Sequence, residues 1–259
     1  MHATTLALVG ATGGAGTTRT VVELAAIGAR GGHDVAVIDA AFGTQGLSEY
    51  VRDRIGTDLT ALITDDTGVS LSAATHTIVG DGAPVDRLND LPGRVELIPA
   101  RAPFERVARA KTAEAARKLE RRVDEAATSY DAVVIDCSPV ASNEAVAAVT
   151  VVDRVGAVRP ATPHGIDALQ RLRGRIADVG TTVDTSVAVR RGVDTETDAA
   201  IDDADVVLPP TDPAVAAAPT VASGSTAYAE AIVDSYARLF DTSVDIEFDN
   251  GGIFERLRN

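Results

Sequence analysis

The stretch LALVGATGGAGTTRT, Leu6 to Thr20, holds the residues whose types and spacing best suit chemistry: a short apolar run, a glycine-rich turn, then helix-forming residues. In that context the backbone N–H groups from Gly13 to Thr18 can point inward as an anion nest at the positive end of a helix, which is phosphate-binding chemistry. The same glycines also suit a turn that serves only close helix–strand packing. No lysine stands in the turn. Other chemistries find little support. The single cysteine, Cys137, excludes an internal disulfide and a multi-cysteine metal site, and His2, His33, His76 and His164 lack ligand spacing. With no neighbouring base or cation evident in the sequence, Cys137 reads as a small buried residue and not as a reactive thiol.

The elements that must position this turn follow from the hydrophobic pattern. Seven short, β-branched, nearly continuous apolar runs read as strands: TLALVG from Thr5, DVAVID from Asp34, RVELIPA from Arg94, DAVVID from Asp131, DRVGAV from Asp153, TSVAVR from Thr185 and DVVLP from Asp205. Strands covered on both faces have this composition. Helical stretches lie between most of them: TRTVVELAAIGARGG with a glycine stop, one long helix over PFERVARAKTAEAARKLERRVDEAATS, and further helices over ASNEAVAAV, GIDALQRLRGRIADVG and STAYAEAIVDSYARLF. The pattern predicts an α/β fold, a doubly wound, mostly parallel sheet with helices on both faces, whose ligands sit at the carboxyl ends of the strands. The region from Gly56 to Pro92 is less regular and predicts a short helix or two. The acidic stretch from Arg190 to Asp205 reads as a solvated loop or helix face.

At 259 residues, with no Pro/Gly/Ser linker, the chain predicts one domain over residues 1–240 and a tail over residues 241–259. Acidic residues number 38 against 24 basic ones, and of the latter only Lys111 and Lys118 are lysines. Such an Asp-rich, Lys-poor balance resembles that of salt-adapted archaeal proteins. In molar salt the Debye length is about 3 Å, so the excess charge stays hydrated and repels itself little. An ordinary acidic cytosolic protein fits the same balance. Without a basic stripe, and with aromatics at only 3%, direct nucleic-acid binding is not expected. No charged leader precedes the first apolar run, and no run of 18 apolar residues occurs, so a cytoplasmic location is expected.

Taken together, the segments resemble the MinD/ParA family of P-loop ATPases. The octet TGGAGTTR, Thr12 to Arg19, matches the family's variant Walker A loop, KGGVGKTT. The segment VAVIDAAFGTQGLSEY matches its switch I region, YDAVVIDCSPV its Walker B and switch II region, VRPATPHGIDALQRL its post-strand proline segment, and the run from Asp203 to Phe240 its closing strand, proline and helices. The resemblance spans residues 4 to 240 in order. It implies a P-loop NTPase-like fold with ATP and magnesium as cofactors. The nucleotide would lie on Gly13, Gly14, Ala15, Gly16, Thr17 and Thr18, and magnesium on Thr18, Asp39 and Asp136.

The departures fall at the family's hydrolytic positions. Its signature lysine corresponds to Thr12, its Walker A lysine to Thr17, and the second switch I aspartate, which positions the attacking water, to Ala41. Losing one charge-assisted bond to phosphate costs on the order of 1.5–3 kcal/mol, roughly ten- to a hundredfold in affinity, so ATP and magnesium binding is expected to be weakened or lost. Losing a transition-state cation costs about 10³–10⁵ in rate and a general base about 10²–10⁴. A non-hydrolysing pseudo-ATPase follows, with no catalytic residue retained, acting as a binding, scaffolding or regulatory partner in intracellular positioning or a related process. It would pair with itself or with a MinD/ParA relative.

Two alternatives stay open. One is a divergent active ATPase that draws its missing cation from Arg19, Arg159, Arg190 or a partner chain. Arg19 lies two residues beyond the Walker lysine position and should leave the helix in another direction. Arg190 and Arg191 stand where the family often has an asparagine near the base; they read either as surface arginines in a loop or as a grip on phosphate or carboxylate. The other alternative is a peripheral membrane polarity protein. In GIFERLRN, Ile253, Phe254 and Leu257 fall near one helical face and Arg256 and Arg258 elsewhere, a short amphipathic segment for membrane contact or for packing on the body or a partner.

Overall fold

The computed structural model describes residues 3–51, 53–65, 68–78, 88–192, 201, 203–222 and 225–246. Eight strands form one sheet: β1 (Thr4–Gly10), β2 (Val35–Asp39), β3 (His76–Thr77), β4 (Val95–Ile98), β5 (Ala132–Cys137), β6 (Arg154–Pro160), β7 (Thr185–Val189) and β8 (Val206–Leu208). Their order is β3-β4-β2-β5-β1-β6-β7-β8, parallel throughout except β3, which runs antiparallel to β4. The strand order turns at β1, flanked by β5 and β6, and this is the switch point where such sheets bind ligands.

The sheet is apolar on both faces, so both must be covered. Leu6, Leu8, Val35, Val37 and Val134 point to one side, where α1 (Thr17–Arg30) and α7 (Ala227–Phe240) bring Leu24, Ile27, Ile232 and Tyr236. Ala7, Val9, Ala36, Ile38, Val133 and Ile135 point to the other, under α2 (Leu59–Thr64), α4 (Ala113–Ala127) and α6 (Pro163–Asp178). Gly28 permits the close approach of α1 to α7. A Cβ there would lie 2.8 Å from a Tyr236 ring carbon and 2.9 Å from Val35.

Each of the seven expected strands is present. The single long helix expected after Pro103 is two: α3 (Phe104–Ala110) and α4, with α5 (Asn143–Val151) following β5. The break falls at Lys111, and Thr112 starts the new helix by accepting a bond from the Ala115 N–H at 3.3 Å. Among the described residues, the irregular stretch between Gly56 and Pro92 holds α2, two short 3₁₀ turns and the edge strand β3. The tail segment GIFERLRN and most of the acidic stretch after Arg191 lie outside the described residues.

Candidate nucleotide site

The glycine-rich turn runs from the end of β1 into α1. Gly16 takes a left-handed backbone (φ 97°) at the helix cap, and no side chain caps the helix. The N–H groups of the first turn therefore lack intrahelical partners and lie at the wall of a cavity of about 370 Å³. The loop from Thr12 to Thr18 forms one wall. Ala41, Thr44 and Gly46 come from the segment after β2, Asp136 to Pro139 from the end of β5, and Arg19 and Arg191 complete the lining.

The Thr18 hydroxyl donates to Asp136 Oδ2 at 2.6 Å. Asp39 and Asp136 face each other in register across β2 and β5, and both are buried. Asp136 lines the cavity, whereas Asp39 is 0% exposed and stands behind the wall, its Oδ1 accepting from the Ala41 N–H at 3.0 Å and its Oδ2 from Ala100 at 3.4 Å. Burial pushes both carboxyls above the ordinary carboxylate range; the charge of Asp136 raises Asp39 further, the backbone N–H bonds oppose that rise, and the Thr18 bond opposes it at Asp136. Among the described residues no group of three or more His, Cys, Asp or Glu side chains could hold a metal alone. The Asp136 carboxylate beside the Thr18 hydroxyl offers hard oxygen donors of the kind magnesium takes, an ion that completes its shell with water and ligand phosphate.

Of the substituted positions, Thr12, Thr17 and Ala41 line the same cavity. The Thr17 hydroxyl turns back against β1, so that a Cβ on Gly10 would meet it at 2.7 Å. The arginines diverge. Arg159 is fully buried, with Nη1 donating to the Pro160 carbonyl at 3.3 Å, and lines neither this cavity nor the next. Arg190, Arg191 and Arg19 line a second cavity of about 460 Å³ with Gly16, Pro209 and Tyr228. Sequence reasoning missed Thr44, Gly46, Ser138 and Pro139 as lining residues. It also missed the second cavity, for which the proline-rich run PPTDP after β8 was the available signal.

Cys137 is buried, with Sγ directed at the Ile135 carbonyl at 3.6 Å, and burial together with Asp136, Asp39 and Glu144 raises its thiol well above the ordinary value. We expect no labelling of the native thiol by iodoacetamide at pH 7.5 over a period in which the urea-unfolded chain reacts fully. Rapid native labelling would show that the end of β5 opens.

A family model described as an AAA domain matches residues 3–189. The chain belongs to this AAA domain family. Its fold is that of the MinD/ParA ATPases. The septum site-determining protein MinD complexed with Mg-ADP from Pyrococcus horikoshii OT3 is 19% identical with a TM-score of 0.69, covering 90% of this chain and 94% of that one. A chain of the MinC:MinD cell division protein complex of Aquifex aeolicus gives 19% and 0.69, over 95% and 98% of the two chains. A complex of a substituted McdA with ATP from Cyanothece gives 15% and 0.68, over 95% and 99%. A search of curated proteins returns no significant match. Among the described residues of this AAA domain protein, no helix is long and apolar enough to cross a membrane.

Proposed function

We propose that this AAA domain protein binds a nucleotide with magnesium without hydrolysing it, and that the bound state serves as a scaffold or regulatory signal for a protein partner, either a second copy or an active MinD/ParA relative. The observation that carries the reading is a cavity lined by the glycine-rich loop, by the Thr18–Asp136 pair and by Thr12, Thr17 and Ala41, the three residues that the sequence resemblance aligns with hydrolytic side chains. Related structures are described as complexes with Mg-ADP and with ATP. In this reading the loop N–H groups from Gly13 to Thr18 hold the phosphates, and Thr18 and Asp136 hold the ion, with Asp39 behind Asp136 adding negative charge. The ion supplies positive charge against the phosphates. Nothing at position 41 can orient or deprotonate an attacking water, because the alanine side chain has no polar atom.

The test is phosphate release by purified protein with Mg-ATP and Mg-GTP in high salt, run beside Asp136→Ala, together with calorimetry of the same ligands. We expect binding of at least one nucleotide and no release above the variant's background. Magnesium-dependent release that disappears in Asp136→Ala would establish a divergent active ATPase instead.

A further inference from the structure

The proposed site lacks both loop lysines, yet a guanidinium stands over the loop from the opposite side. We infer that Arg191, with Arg19 on the wall that the two cavities share, supplies the positive charge on the ligand's phosphates that Thr12 and Thr17 do not. The inference rests on the nucleotide-binding reading above and adds the residue that makes it work.

The geometry is specific. A Cβ built on Gly14, an exposed loop glycine, would lie 3.9 Å from Arg191 Nη2, so the guanidinium reaches the loop backbone itself. Arg191 and Arg19 each line both cavities and thus form part of their shared wall. The backbone that carries Arg191 is fixed: β7 pairs with β6 and β8, and the Arg190 N–H donates to the Leu208 carbonyl at 3.0 Å.

Arg19 is held just as firmly. Its Nε donates to Glu23 Oε1 at 2.6 Å and its Nη1 to the Ala214 carbonyl at 3.2 Å, while Nη2 is buried with no hydrogen-bond partner among the described residues. A buried N–H of a charged group left without an acceptor is costly, and a phosphate oxygen is the acceptor that both guanidiniums would share. Lys111 Nζ pairs with Glu144 at 3.8 Å, and Arg159 is buried away from both cavities.

Calorimetry at moderate salt with magnesium present, using Mg-ATP, inorganic triphosphate and adenosine as probes, tests the inference on wild type, Arg191→Ala and the double variant Arg191→Ala/Thr17→Lys. Arg191 is exposed, so the variant should fold, and a thermal unfolding scan checks this. We expect Arg191→Ala to weaken Mg-ATP and triphosphate about ten- to a hundredfold, leave adenosine unchanged, and recover affinity when a lysine is placed at position 17. Mg-ATP binding that is equal in wild type and Arg191→Ala overturns the inference and leaves the nucleotide reading standing. Triphosphate binding that depends on Arg191, with no nucleotide bound, supports the inference and removes the nucleotide reading. No binding of any polyphosphate by the wild type overturns both.

Discussion

Glu23→Ala is expected to destabilise the protein by about 3–5 kcal/mol, the largest loss from any single polar substitution described here. The Glu23 carboxylate is 0% exposed and collects four donors. Arg19 Nε reaches Oε1 at 2.6 Å, the Thr220 N–H and hydroxyl reach Oε1 at 2.9 and 3.0 Å, and the Val221 N–H reaches Oε2 at 3.0 Å. Alanine strands a largely buried guanidinium and two backbone N–H groups, each worth about 1–3 kcal/mol when unsatisfied. At about 2–4 °C per kcal/mol for a domain of this size, the melting temperature should fall by roughly 6–20 °C. Glu23→Gln keeps an acceptor and should lose less than half as much. A melting curve for Glu23→Ala within 2 °C of wild type would remove the hub role of Glu23. The same change frees Arg19 from its brace, so nucleotide affinity should fall with stability.

Asp39→Asn is expected to have opposite effects with and without ligand. In chelator, the raised Asp39 carboxyl opposes folding wherever the unfolded chain has already ionised. The unfolded group releases its proton near pH 4, while the folded group holds it to higher pH, so the native state loses stability as pH rises from about 4 through the raised value. Asparagine has no proton to release and escapes this loss. Its amide nitrogen takes the place of an oxygen that accepts from the Ala41 or the Ala100 N–H, a cost that does not change with pH. In chelator the variant's stability relative to the wild type should therefore rise by about 1–3 kcal/mol between pH 4 and pH 8. With saturating Mg-ATP this relative gain should be reversed at pH 8, because the wild type gains RT ln(1 + [L]/Kd) from a site whose negative charge the variant has lost. Chemical denaturation across pH 4 to 8, with chelator and with Mg-ATP, checks both halves. A stability difference independent of pH would refute the charge argument.

The individual strands were legible because burial on both faces leaves a local trace: β1, β2, β5 and β6 are nearly continuous runs of Val, Leu, Ile and Ala. The turn at Gly13 to Gly16 was legible for the same local reason. The break between α3 and α4 was not. Residues 104–127 are good helix formers throughout, and Thr112, able to stand inside a helix or to cap one, caps here. Strand β3 was not legible either. Its two residues carry no periodicity, and their pairing with Leu97 and Glu96 is set by where β4 already lies.

The site divides in the same way. By itself the sequence determined that a glycine-rich turn opens the first helix, that threonines stand at Thr12 and Thr17 and alanine at Ala41, and that carboxylates end two apolar strands. These are facts of residue type and short-range order. Only the tertiary structure decided that Asp136 lines the cavity while Asp39, its partner in register on β2, is fully buried on the Ala41 and Ala100 N–H groups. Only it decided which arginine reaches the loop. Arg19, Arg159, Arg190 and Arg191 are alike in the sequence, but the pairing of β7 with its neighbours brings Arg191 to Gly14 and the interior of the sheet takes Arg159 away. A guanidinium's direction depends on segments far apart in the chain, and no local pattern encodes it.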